Sequence, residues 1–166
     1  MYHFMILDSA DLNAFALPGG YVYIFSGLFN RLNETEIAGV LAHEIAHVTA
    51  KHAVKRMQTA LGYPVLLGLA AVSFGQKNPE ILQQISGVSG VVFNLLSAGY
   101  GRQEEILADK LGVKYMILAG YAPQGMVRVL EILKEEKGPS GSVFEILSNH
   151  PRMEERIKKA KDALPQ

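Results

Sequence analysis

The chain has 166 residues, enough for one domain with a substantial core, and its 49% hydrophobic and 19% charged content is globular rather than disordered. Its formal net charge is zero, which leaves no basic surface to advertise nucleic acid. It has no cysteine, which excludes disulfides and cysteine–zinc sites.

The opening "MYHFMILDSADLNAF" lacks the basic start and continuous apolar run of a signal peptide. It reads as a strand entered almost at once, so the chain is expected to be a piece of a longer protein. Residues 2–8 and 13–17 alternate loosely and are rich in aromatic and β-branched side chains. Gly19–Gly20 is a turn signal, and "YVYIF" after it is a strong strand. The first 25 residues therefore predict a small antiparallel sheet.

"NRLNETEIAGV" then opens a helix, with Asn33 as N-cap and Glu36 three residues on. The helix is expected from about Glu34 to Met57 or beyond. Two apolar stretches follow. "MQTALGYPVLLGLAAVSFG" is nearly long enough to span a membrane, which takes about 20 apolar residues, but it carries Gln58, Gly62 and Pro64. "ISGVSGVVFNLLSAG" is shorter and holds Asn94. Both read as buried helices, with a membrane-touching hairpin as the alternative. Another helix runs from near Arg102 to Gly120. "GYAPQG" is a turn, and Pro123 enters a helix that reaches Gly138. A charged helix, "RMEERIKKAKDAL", closes the chain. No repeat and no linker divides residues 1–166, so a single domain is expected, α+β in class and mostly helical.

The chemistry concentrates in "VLAHEIAHVTAKH". His43 and His47 are four apart, so on a helix they share a face about 40° wide and can converge on one ion. Glu44 sits about 100° round from His43, near enough to meet a water on that ion but not placed as a ligand. His52 would lie about 140° from His47 on a continuous helix and should not reach the same metal. His52 and His3 are read as surface or structural. Gly39, Ala42, Ala46, Ala50 and Ala53 form a stripe of small residues beside the histidine face. The stripe predicts a second helix packed close by, the natural source of a third ligand.

A hydrolytic zinc takes three protein ligands and keeps a position open. "GRQEEILADKLG" is the best source of the third, since Glu105 and Asp109 share a helical face while Glu104 points elsewhere. A ligating carboxylate beside a second one that holds a ligating histidine is a common metal-site design.

"NAFALPGGYVYIFSGLFNRLNETEIAGVLAHEIAHV", followed by "GRQEEILAD" and "NHPRMEERI", resembles the peptidase family of HtpX, BepA and the CAAX prenyl endopeptidases. The resemblance covers nearly the whole chain. It departs at Gly101, where the family usually has serine before the arginine. It implies a zincin-like fold of the gluzincin type, with the small sheet packed on an active-site helix pair. It implies one zinc ion held by His43, His47 and Glu105, Glu44 as general base, and Asp109 orienting a ligand. His150, in "NHPRMEERI", is implied to return to the cleft, either stabilising the oxyanion or occupying the open zinc position at rest, with Arg156 in support. Asn13, Ala14, Phe15 and Ala16 are implied to form a strand at the cleft, on which a peptide substrate adds as a further strand. The apolar stretch is weak for a span, so the chain resembles the soluble BepA-like branch. That branch implies a periplasmic, membrane-associated protease of misfolded envelope proteins, with a possible association with outer-membrane assembly. The rival readings are a membrane-embedded or prenyl-protein protease, and a latent metal-binding, chaperone-like module held shut by His150.

Overall fold

A computed structural model describes residues 1–73, 75, 79, 99–135 and 153–165. Strands β1 (His3–Leu7), β2 (Ala14–Leu17) and β3 (Tyr21–Phe25) form one sheet in the order β1-β3-β2. The hairpin at Gly19–Gly20 is as expected: β2 runs antiparallel to β3, pairing Ala14 with Ile24 and Leu17 with Tyr21. β1, however, runs parallel to β3, from His3 opposite Tyr21 to Leu7 opposite Phe25. The sheet is therefore mixed, and the expectation of an antiparallel sheet holds for one of its two pairings. β3 takes the centre because it has most to bury, with Val22 at 0% and Ile24 at 4% exposure. The connection between β1 and β2 carries the chain past it, so β1 and β3 point the same way.

A short helix, α1 (Ser26–Phe29), leads into α2 (Glu34–Thr49). The capping box forms as the sequence suggests. The Glu36 N–H donates to Asn33 Oδ1 at 3.0 Å, and the Asn33 N–H donates to Glu36 Oε2 at 2.9 Å. The expected run to Met57 does not form. Ala50 caps α2, and Lys51 adopts the left-handed region at φ 57°. That conformation costs a non-glycine residue about 1 kcal/mol, and it ends the helix. The chain restarts at once as α3 (His52–Ser73), which breaks again at Gly62, where φ 75° and ψ 165° suit glycine alone. Among the described residues no helix is long and apolar enough to cross a membrane. Most of the second apolar stretch lies outside the described residues.

Helices α4 (Arg102–Leu118), α5 (Gln124–Glu135) and α6 (Met153–Asp162) complete the described fold. At the start of α4 the Gly101 N–H donates to Glu104 Oε2 at 2.8 Å, so Glu104 serves the helix end. α5 buries Met126, Val127, Val129, Leu130 and Leu133 against Leu12, Ile24, Leu28 and Val40. α6 adds Met153 and Ala160 to the same core.

The small-residue stripe of α2 is shared between two neighbours. A Cβ on Gly39 would come 3.2 Å from the Met126 nitrogen on α5. Ala42 faces α4, where Gly112 makes the closest approach. A Cβ on Gly112 would stand 2.4 Å from the Met126 Cε of α5, 3.3 Å from the His43 nitrogen and 3.4 Å from the Ala42 carbonyl carbon. Gly112→Val is therefore expected to destabilise the chain by about 2–3 kcal/mol, since a branched side chain must pry α4 from α2. Chemical denaturation measures this. Wild-type stability in that variant would show that the two helices can separate freely.

Candidate metal centre

α2 and α4 lie side by side, and each projects a pair of polar residues four apart into the contact. His43 and His47 come from α2, Glu105 and Asp109 from α4, and all four are buried. His43 Nε2 and His47 Nε2 stand 2.9 Å apart. Glu105 Oε2 lies 3.6 Å from the first, and Oε1 lies 3.5 Å from the second. One ligand atom from each residue falls within 4.8 Å of the others. Donors around a tetrahedral ion with bonds of about 2.1 Å stand about 3.4 Å apart, so the cluster matches the spacing a metal requires.

The surroundings orient these ligands. His43 Nδ1 lies 2.9 Å from Asp109 Oδ1, so the carboxylate faces that side of the ring while Nε2 points toward the cluster. Arg156, brought in by α6, clamps Asp109 through Nε and Nη2 at 2.8 and 2.7 Å. Its Nη1 reaches Glu105 Oε2 at 2.9 Å. One guanidinium thus ties both carboxylates of α4 to the last helix.

The charge distribution favours a cation. Burial, the strongest influence on His43, pulls its pKa down, yet Asp109 and Glu105 together hold it up at about 10. Carboxylates that favour a proton on the ring also favour a metal ion there. Burial likewise raises the pKa of Asp109, but the Arg156 hydrogen bonds outweigh it and keep the group ionised, near 2. Burial works against the Arg156 charge, and Asp109 and Glu105 restore it.

A narrow cleft opens beside the cluster, lined by Asn13, Ala14, His43, Glu44 and Arg156 and floored by apolar residues of α5. Glu44, 4% exposed, therefore sits at the junction of cluster and cleft.

Residues 2–164 match the profile of peptidase family M48. The chain belongs to that family. Among its curated relatives, the beta-barrel assembly-enhancing protease of Escherichia coli (strain K12) is 30% identical over 99% of this chain and 35% of its own length. Metalloprotease LoiP of the same organism is 29% identical over 98% of this chain and 62% of its own length. The mitochondrial metalloendopeptidase OMA1 of Schizosaccharomyces pombe is 32% identical over 93% of this chain and 44% of its own length. The chain thus spans about a third to somewhat under two thirds of these relatives.

In this M48 chain the strand expected at the cleft divides by face. Asn13 and Ala14 line the main cleft, and Ala16 lines a smaller one of about 210 Å³ with His47, Lys51 and Tyr100. Phe15 turns to the other face, stacked on Tyr23 with ring centroids 4.8 Å apart. β2 is an edge strand, so its second edge has no partner strand among the described residues. His150 lies outside the described residues.

Two residues beside the cluster escaped the sequence reading. His52 is not turned away. It is 2% exposed, and its Nδ1 lies 2.9 Å from His47 Nδ1. The helical break at Lys51 swings it back, so angles computed along a continuous helix fail here. Burial lowers its pKa. Tyr100 lies flat on His47, with centroids 4.0 Å apart and planes 19° apart. Burial, then the nearby Glu44 charge, raises its pKa. Its signal in "SAGYGRQEE" was an aromatic just ahead of the ligand-bearing helix. His3, read as surface, is exposed and stacks on Tyr21.

Proposed function

We propose that the chain is the catalytic domain of a zinc-dependent endopeptidase that cuts extended or misfolded polypeptides. The observation that carries this reading is the convergence of His43, His47 and Glu105 at one point beside Glu44 and an edge strand. Two imidazoles and a carboxylate, with no cysteine, suit zinc and leave a fourth position for water or substrate. A zinc held there would supply Lewis acidity, polarising a scissile carbonyl and lowering the pKa of a water toward about 7. Glu44 takes the water's proton and passes it to the leaving amine. Asp109 fixes the His43 ring, and Arg156 holds the Glu105 carboxylate. Asn13 to Ala16 offer main-chain groups to an extended substrate, which explains tolerance of many sequences. His150 is assigned to the developing oxyanion.

We place the substrates among misassembled proteins of a bacterial envelope. The name of the relative that enhances beta-barrel assembly supports this. A periplasmic site of action and an association with outer-membrane assembly follow from the same reading.

The test is cleavage of casein and of an unfolded outer-membrane β-barrel protein, before and after chelation. Cleavage is expected to disappear with chelator and return with stoichiometric zinc. Cleavage that survives complete metal removal would overturn the metal reading. Loss of all cleavage with zinc bound would overturn the protease reading. Preference for casein over the β-barrel protein would count against the envelope assignment.

A further inference from the structure

Among the described residues, His47 is held by side chains outside the motif. α2 ends at Ala50, and Lys51 at φ 57° reverses the chain, so His52 becomes the first residue of α3. Its ring returns over His47, with centroids 5.0 Å apart and planes 71° apart. The two Nδ1 atoms are 2.9 Å apart, in a place where both residues are buried. Tyr100 covers a face of the same His47 ring. Arg56, one turn after His52, sets its guanidinium carbon 5.9 Å from the Tyr100 ring centre. The first turn of α3 thus braces both contacts of His47.

Metal ligation by His47 would set the direction of the bond. At 2.9 Å one proton lies between the two Nδ1 atoms. His47 turns Nε2 toward His43 and Glu105, the position of a ligand lone pair. A neutral ring that ligates through Nε2 carries its proton on Nδ1. With a metal on its Nε2, His47 donates and His52 accepts, which puts the His52 proton on Nε2. A neutral acceptor orients the ring without adding negative charge to a site that already holds Glu44, Glu105 and Asp109.

We propose that His52 is a positioning residue for the ligand His47: it accepts the Nδ1–H bond that fixes the tautomer and the angle at which Nε2 meets the metal. This rests on the metal reading above. The two ligand histidines then have different outer partners, a carboxylate for His43 and an imidazole for His47.

The test compares His52→Leu with His52→Asn. Asparagine places Oδ1 near the position of the histidine Nδ1, so it keeps an acceptor that leucine lacks. Zinc affinity is measured by chelator competition on the whole chain, and the cobalt-substituted protein gives a visible spectrum that reports ligand geometry. His52→Leu is expected to weaken zinc binding about 10- to 100-fold and to shift the cobalt bands. His52→Asn is expected to restore most of the affinity and the wild-type spectrum. Thermal melting of the metal-free variants separates loss of packing from loss of the acceptor. If leucine leaves affinity and spectrum unchanged, or if asparagine loses as much as leucine, the proposal is overturned while the zinc reading stands. If the wild-type chain itself takes up no metal, both fall.

Discussion

Glu44→Gln is expected to lower peptide hydrolysis by about 10²- to 10⁴-fold while leaving the metal content unchanged. Glutamine keeps the size of the side chain and its acceptor oxygen but cannot take a proton from water. Glu44 lies outside the cluster of His43, His47 and Glu105, so its loss removes no ligand. Its position on the cleft wall, beside His43 and Arg156, is where the proposed mechanism brings substrate and water together. Glu105→Ala is the contrasting variant. It removes the oxygen atoms that face both histidines at 3.5 and 3.6 Å, and metal and activity are expected to go together. Metal analysis beside initial rates on casein separates the two cases. Substantial cleavage by Glu44→Gln would remove this residue from the proton transfers.

The parts of the site that were legible in the sequence lie within unbroken helices. His43 with His47, and Glu105 with Asp109, are pairs four apart, and such pairs share a face whatever the tertiary structure does. A close second helix was legible too, from the small residues Gly39, Ala42 and Ala46 on α2, although Gly112, its counterpart on α4, was not picked out. His52 was misread because its place depends on Lys51. A lysine does not announce a left-handed residue as glycine would, so nothing marked the end of α2. The sheet shows the same limit. Local alternation identifies β1, β2 and β3, but whether β1 lies beside β2 or beside β3 depends on which strand most needs covering. The ion pair between Asp109 and Arg156 joins residues 47 apart in sequence, and no local pattern encodes it. Only the resemblance to a known family brought Arg156 into view.

Arg156→Met is expected to destabilise the metal-free chain by about 3–5 kcal/mol. Arg156 is 4% exposed, and Glu105 and Asp109 are each 0% exposed. Removing the guanidinium leaves two buried carboxylates, with the His43 and His47 rings beside them among the described residues. For a domain of this size the melting temperature should fall by roughly 10 °C. Arg156→Lys should recover little, because one ammonium cannot reproduce the two-pronged bond to Asp109 and the third bond to Glu105. Zinc should narrow the gap between variant and wild type, since a divalent cation beside Glu105 replaces part of the missing charge. Asp109, one helical turn from Glu105, keeps most of its penalty, so the gap should not close. Thermal melts of the wild type and both variants, with chelator and with zinc, measure all three effects. Equal melting temperatures in chelator would mean that the two carboxylates find another cation or protonate at little cost, and the structural role of Arg156 would then be lost.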